Sequence, residues 1–267
     1  MSRPDYIQLG DGTRMAILYE DRSVLAIDKP AGWMLVPHSW QRTSRNLQAA
    51  IVSAMGAGQF WARCRGLKFL RYVHRLDAET SGVLLLAKSP GALEALGALF
   101  ESRKIDKRYL VVVHGHPAAS RWSCRLSLQP DPKQIGRMQI AAHGGKEAET
   151  HFEILASGKS TTLLEARPLT GRTHQIRVHL AHAGHPVVGD PLYAPARRPG
   201  RMPKAPLPLM LGLRAVGLSY RDPFTHGPVT IEASAEEFLR SFGFGLGDRG
   251  PGTRRAEPRR LREGQGG

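Results

Sequence analysis

The chain has 267 residues, 38 Lys and Arg against 23 Asp and Glu, a formal net charge of +15 at pH 7 and a pI near 10.5. That balance points to polyanionic partners. Its two cysteines, Cys64 and Cys124, are too few for a disulfide framework and lack CxxC spacing, so a reducing, cytoplasmic setting fits them best. No leader is expected at the start, and no run approaches the roughly 18 apolar residues of a membrane span.

Residues 1–16 read as a loose lead-in, although Ile17 already opens a hairpin. Its arms are Ile17-Leu18-Tyr19 and Val24-Leu25-Ala26-Ile27, with Glu20-Asp21-Arg22-Ser23 at the bend. Lys29-Pro30-Ala31-Gly32 ends the hairpin in a turn. Leu47, Ala50, Ile51, Ala54 and Met55 recur at helical spacing, from a Thr43/Ser44 start to a Gly56 stop. A second helix opens at Ser89-Pro90 with Leu93, Leu96, Leu99 and Phe100 on its apolar face.

Between these helices lies Val73-His74-Arg75-Leu76-Asp77-Ala78-Glu79-Thr80-Ser81-Gly82, followed by Val83-Leu84-Leu85-Leu86-Ala87. The apolar run is a strand buried on both faces. The polar segment ahead of it is either a solvated turn or a loop that a core strand holds for chemistry.

Lys104 to Arg108 make a basic turn into the strand Tyr109 to Val113. The cations Lys104, Lys107 and Arg108 are either phosphate contacts or a solvated turn. Strands are expected over 122–128, 149–155, 161–166, 207–220 and 229–233, with a polar connection over 130–145. Ser234-Ala235-Glu236-Glu237 is a capping-box sequence for a last helix through Phe242. From Asp248 to Gly267 there are six Arg against three acidic residues and almost nothing apolar. This tail is expected to be disordered, and it leaves +12 on the body. Nucleic acid is therefore favoured over an anionic membrane surface, since no basic amphipathic helix is present.

The densest polar stretch runs from Thr170 to Tyr193. It holds Thr170-Gly171-Arg172-Thr173-His174-Gln175-Ile176-Arg177 and then His179, His182, His185 and Asp190. The histidines lack the i,i+4 pair of a helical zinc site and have no cysteine nearby, which disfavours a metal. Hydrogen bonds to backbone or phosphate, or simple packing, suit them better. Arg177 is either a surface cation or a buried, permanently charged fork for an essential carboxylate.

Taken together, these segments resemble the RluA-type family of RNA pseudouridine synthases. The likeness rests on Ile17 to Gly32, His74-Arg75-Leu76-Asp77 with Thr80-Ser81-Gly82, Lys107-Arg108-Tyr109, and Thr170 through Tyr193. It implies an α+β fold, with a mixed, mainly antiparallel central sheet flanked by helices and an RNA-binding cleft, over a catalytic domain of residues 17–247. It implies that Asp77 is the catalytic carboxylate, that Tyr109 stacks on the target base, and that Arg177 pairs with the aspartate. Arg75 would fill the space left by a flipped nucleotide, and Leu211 and Leu213 would form an apolar wall. Two departures stand out: Ala78-Glu79 replaces the commoner Arg-Asp, and Arg214 replaces a histidine at the expected pocket edge.

The implied reaction detaches uracil from its sugar and rejoins it through carbon 5. It involves no net redox change and no hydrolysis, so no cofactor or metal is expected. The expected partner is structured RNA, ribosomal or transfer, bound by a monomer with no obligatory protein partner. The competing readings are a noncatalytic RNA-binding or ribosome-assembly protein on the same scaffold, and a metal-dependent nuclease built on the histidines and Asp190.

Overall fold

The computed structural model of the protein describes residues 3–35, 45–194, 210–245 and 247. In chain order the elements are β1 (Tyr6–Gln8), β2 (Arg14–Glu20), β3 (Val24–Lys29), α1 (Leu47–Gly56), α2 (Phe60–Arg63), β4 (Arg71–Tyr72), β5 (Ser81–Ala87), α3 (Pro90–Glu101) and β6 (Asp106–His114). They continue as β7 (Arg121–Arg125), β8 (Leu128–Pro130), β9 (Met138–Ile140), β10 (Glu149–Ser157), β11 (Thr161–Pro168), α4 (Gln175–His182), β12 (Leu213–Arg221), β13 (Pro228–Glu232) and α5 (Glu236–Ser241).

Eleven strands form one sheet along the path β1-β2-β3-β5-β12-β6-β11-β10-β7, with β13 added on β12 and β4 on β5. Its named pairings are antiparallel except β5 with β12. The fold is α+β, with a mixed and mainly antiparallel sheet.

Period-two alternation explains the layers. On β5, Leu84 and Leu86 face a cluster with Leu47 and Ile51 of α1 and Trp61 of α2, while Val83 and Leu85 face Leu96 of α3. On β6, Val111 and Val113 pack with Ile176 and Leu180 of α4, whereas Leu110 and Val112 meet Phe238 and Leu239 of α5. Tyr109 packs against both the α1/α2 cluster and the α4 cluster. It therefore stands at their seam. Burial of these apolar faces, at about 25 cal/mol per Å², is the main force holding the layers together.

Gly82 marks where β5 and β12 come closest. Its φ is +112°, and a Cβ there would lie 2.0 Å from the Ala215 carbonyl oxygen. Only glycine lets the strand that follows the Asp77 loop pair in parallel with β12.

Several expectations change. The lead-in is not loose, because β1 pairs antiparallel with β2 and buries Ile7. The connection over 130–145 contains half of a small sheet, β8 with β9, rooted by Leu128 against Val178 and Tyr193. The strand expected over 122–128 divides into β7 and β8. Helix α1 is capped by Asn46, whose side chain accepts from the Ala49 N–H at 3.0 Å; Thr43 and Ser44 lie outside the described residues. The capping box before α5 is incomplete, since Ala235 occupies the cap and Ser234 Oγ accepts only the Glu236 N–H. Residues 207–209 of the expected strand 207–220 and the tail 248–267 also lie outside the described residues. Among the described residues no helix is long and apolar enough to cross a membrane.

Candidate active site

The segment 73–80 is fixed from behind by hydrogen bonds that a solvated turn would not have. His74 Nε2 accepts the Leu85 N–H at 3.1 Å, and its ring stacks on Phe100 with centroids 4.8 Å apart. Burial, aided by the charge of Lys107, pushes the His74 pKa down to about 3, so the imidazole is neutral and available as an acceptor. On the far side of Asp77, the Ala78 carbonyl accepts from the Gly32 N–H at 2.8 Å and from Lys29 Nζ at 3.1 Å. Lys29 is wholly buried and also donates to the Pro30 and Trp33 carbonyls. Burial pulls its pKa down to about 8, against the opposing pull of Asp77 and Glu79. The turn after β3 thus clamps the backbone on which Asp77 rides.

Asp77 projects into a pocket of about 380 Å³. Its carboxylate keeps 22% of its surface open and accepts from Arg177 Nη1 at 3.2 Å. Arg177 is completely buried on α4. Its other edge is gripped by Asp190, with Nε to Oδ2 at 2.7 Å and Nη2 to Oδ1 at 2.9 Å. Asp190 Oδ1 also accepts the Leu192 and Tyr193 N–H groups, so its carboxylate is itself immobilised. Burial opposes the Arg177 charge, but the hydrogen bonds and charges of Asp190 and Asp77 outweigh it and hold the guanidinium above its usual range. The surface-cation alternative for Arg177 is therefore wrong. It is the buried fork, and it needs two carboxylates.

Tyr109 lines the same pocket, its hydroxyl held above the usual range by burial and then by Asp77. Leu213 is on the wall, whereas Leu211 packs behind it with Val111 and Val113. Arg75 lies exposed at the mouth and donates to Thr173 Oγ1 at 3.1 Å. The three cations of the basic turn part company. Lys107 lines the pocket and donates to the Thr170 carbonyl at 2.9 Å. Arg108, next along the strand, turns to the opposite face and meets Glu232 at 3.3 Å. Lys104 is exposed before β6.

Both departures from the family pattern acquire a location. Glu79 keeps a carboxylate 3.6 Å from Arg177. Arg214 is not at the pocket edge. Strand alternation sends it away from Leu213, to Asp28 at 2.6 Å, Ser81 Oγ at 3.2 Å and the Ser234 carbonyl at 2.9 Å.

The four histidines serve different ends. His179 is buried between Thr150 Oγ1 and the Leu126 carbonyl, His185 faces the His114 carbonyl, and His182 is exposed. His174 alone lines the pocket, with Nδ1 2.8 Å from Tyr193 Oη and Nε2 3.9 Å from Asp77 Oδ2. Among the described residues no group of three or more His, Cys, Asp or Glu could hold a metal ion.

Sequence reasoning did not single out Lys29 or Tyr193 as site residues, and it weighed His174 and Asp190 only within the metal-nuclease alternative. Nothing in the spacing of Asp190 announces a grip on Arg177.

The family model described as RNA pseudouridylate synthase matches residues 23–182. The ribosomal large subunit pseudouridine synthase C of Buchnera aphidicola (strain Sg) is 34% identical over 228 residues, covering 85% of this chain and 69% of the relative. Its namesake from Escherichia coli K12 is 35% identical over 226 residues, covering 84% and 67%. The chain thus spans about two thirds of the length of these relatives. Human RNA Pseudouridylate Synthase Domain Containing 1 superposes with a TM-score of 0.63 at 26% identity, over 82% of this chain and 83% of that one. Human RNA Pseudouridylate Synthase Domain Containing 4 also reaches 0.63, at 24% identity over 85% and 91%, a likeness of fold. With sequence match, sheet topology and motif placement in agreement, this chain belongs to the RluA-type RNA pseudouridine synthase family.

Proposed function

We propose that this chain isomerises uridine to pseudouridine in ribosomal RNA of the large subunit, with Asp77 as its catalytic carboxylate. Isomerisation in RNA is the activity that family membership brings. The large-subunit target rests on the names of the relatives, ribosomal large subunit pseudouridine synthases C and D. The observation that carries the residue assignment is the partly open Asp77 carboxylate in a pocket, backed by a sealed guanidinium at 3.2 Å.

The chemistry suits that arrangement. A carboxylate with a reference pKa of about 3.9 is ionised at neutral pH without a helper base. Arg177 keeps it aimed and supplies a fixed counter-charge when closure on RNA strips water away. The target base leaves its stack at a cost of a few kcal/mol. Stacking on Tyr109 returns roughly 1–3 kcal/mol of that. In this reading Arg75 enters the space the base vacates and Leu213 forms the apolar wall, roles supported by both lining the pocket, Arg75 with an exposed side chain. The basic body adds phosphate contacts, which makes binding salt-sensitive. The protein acts as a monomer in the cytoplasm, on RNA alone.

The test is Asp77→Asn, assayed by release of the carbon-5 hydrogen from labelled uridine in ribosomal and transfer RNA. Turnover on ribosomal RNA is expected to vanish while RNA binding survives. A variant that still releases the label overturns the assignment of Asp77, and wild-type turnover confined to transfer RNA overturns the target.

A further inference from the structure

Among the polar side chains that line the pocket, His174 is the one whose ring nitrogen comes within 3.9 Å of the Asp77 carboxylate. His174 sits directly before α4 with a left-handed backbone, φ +54° and ψ +18°. It is the third residue of a turn over 172–175, closed by the Gln175 N–H on the Arg172 carbonyl at 3.1 Å, a position that takes positive φ, and it makes no side-chain cap to the helix it precedes. Its carbonyl still accepts the Val178 N–H, so the helix starts normally. With the chain so turned, the imidazole lines the pocket and is 95% buried.

The hydrogen-bond network assigns the tautomer. Tyr193 Oη accepts the Met138 N–H at 2.8 Å, and its own proton has His174 Nδ1 as partner, also at 2.8 Å. With Nδ1 accepting, a neutral ring carries its proton on Nε2. The groups facing the ring are Asp77, Glu79, Asp190 and Arg177. Burial, and after it the charge of Arg177, keeps the ring neutral against the pull of Asp77. The Nε2–H therefore points to the space beside Asp77, 3.9 Å from Oδ2, too far for a good hydrogen bond and open to a third party.

We propose that His174 touches the reacting nucleotide, its Nε2–H donating a hydrogen bond to the extruded uracil and stabilising the negative charge the base carries once detached. The inference rests on the isomerase reading above. However Asp77 acts, the bond between the sugar carbon and N1 must break with its electron pair passing to the base. That charge spreads over N1 and the ring carbonyl oxygens. It is discharged when the electron pair bonds carbon 5 to the sugar; the carbon-5 proton then leaves for solvent and N1 takes up a proton from solvent. A preorganised donor at the edge of a water-poor pocket is the device that lowers such a barrier. His174 gives up no proton in this role, and the atoms balance without it.

The experiment compares His174→Asn, which tolerates the left-handed backbone but is too short to reach, with His174→Gln, whose amide nitrogen stands near the position of Nε2. Tyr193→Phe is the control for a purely structural link. With uridine-labelled ribosomal RNA fragments, His174→Asn is expected to lower kcat about 10- to 100-fold with KM within about threefold of wild type. The Gln variant should recover part of kcat. Both variants and Tyr193→Phe should lose a similar few degrees of melting temperature, since all three break the buried His174–Tyr193 link, whereas only the Asn variant should lose most of kcat. Wild-type kcat in the Asn variant, equal kcat losses in the Asn and Gln variants, or a kcat loss matched by Tyr193→Phe and a collapsed melting temperature each overturn the proposal. If the wild-type protein itself shows no turnover on RNA, it is the isomerase reading that fails.

Discussion

The two polar segments that meet at Asp77 are held in opposite ways. The carboxylate rides on a loop pinned on both sides, by the Leu85 N–H donating to the His74 imidazole and by Lys29 Nζ and the Gly32 N–H donating to the Ala78 carbonyl. Its side chain keeps only one close partner and part of its surface open. The cation is built the other way round. Its guanidinium is sealed, it is gripped at both ends by carboxylates, and Asp190 behind it is as buried as it is. The partly open carboxylate is thus held by little besides its loop, whereas its counter-ion is part of the core. If Asp77 is the catalytic group proposed above, catalytic and structural demands fall on different residues of the same ion pair.

The largest effect should come from breaking the buried side. Arg177→Ala leaves Asp190 charged, buried and without its cation, a defect that costs about 3–5 kcal/mol. Turnover should be lost as well, because Arg177 is the hydrogen-bond donor that orients the Asp77 carboxylate among the described residues. Urea unfolding with a parallel label-release assay measures both. Adding Asp190→Asn to Arg177→Ala should return part of the stability and none of the activity. A stable, active Arg177→Ala protein would erase the contrast between the two segments.

Tyr109 probes the same contrast more gently, because it spans the seam between core and pocket. Tyr109→Phe keeps the ring and should bind RNA within a few-fold of wild type. Tyr109→Ala removes the stacking face, worth roughly 1–3 kcal/mol per base, and should weaken binding accordingly. A salt-titrated binding assay separates this loss from phosphate contacts, whose salt slope should not change. Equal binding by the Ala variant would mean that the ring serves only the core.

How much of this was legible beforehand follows from the reach of each signal. Buried β5, the hairpin β2–β3 and helix α3 with its Ser89 cap and Pro90 are local patterns, and each is where periodicity and capping put it. Edge strand β1 and the β8–β9 pair are three residues per strand. Three residues give no period to read, and their pairing depends on distant partners. Within the site, Asp77, Tyr109 and Arg177 stand in motifs dense enough to be noticed. Asp190 and Lys29 stand in noticed segments too, but their tasks were not legible there, because these lie in what folding brings against them, over 13 residues in sequence for Arg177–Asp190 and 49 for Lys29–Ala78. His174 was hidden among its neighbours. Four histidines in one stretch look alike until the backbone shows which one is turned inward.

The smallest effect is expected at Arg214, where sequence comparison alone placed a change at the pocket edge. Its guanidinium spans Asp28 on β3, Ser81 on β5 and the Ser234 carbonyl before α5, and so it laces the sheet on the side away from the substrate. Arg214→His should therefore leave kcat and KM within about twofold. Losing a partly exposed pair with Asp28 should cost no more than about 1 kcal/mol. Thermal unfolding and label release on the same preparation decide the matter. A change in KM without a change in stability would mean that this arginine reaches the RNA after all, and that strand alternation on β12 does not separate the two faces as cleanly as Leu213 and Arg214 indicate.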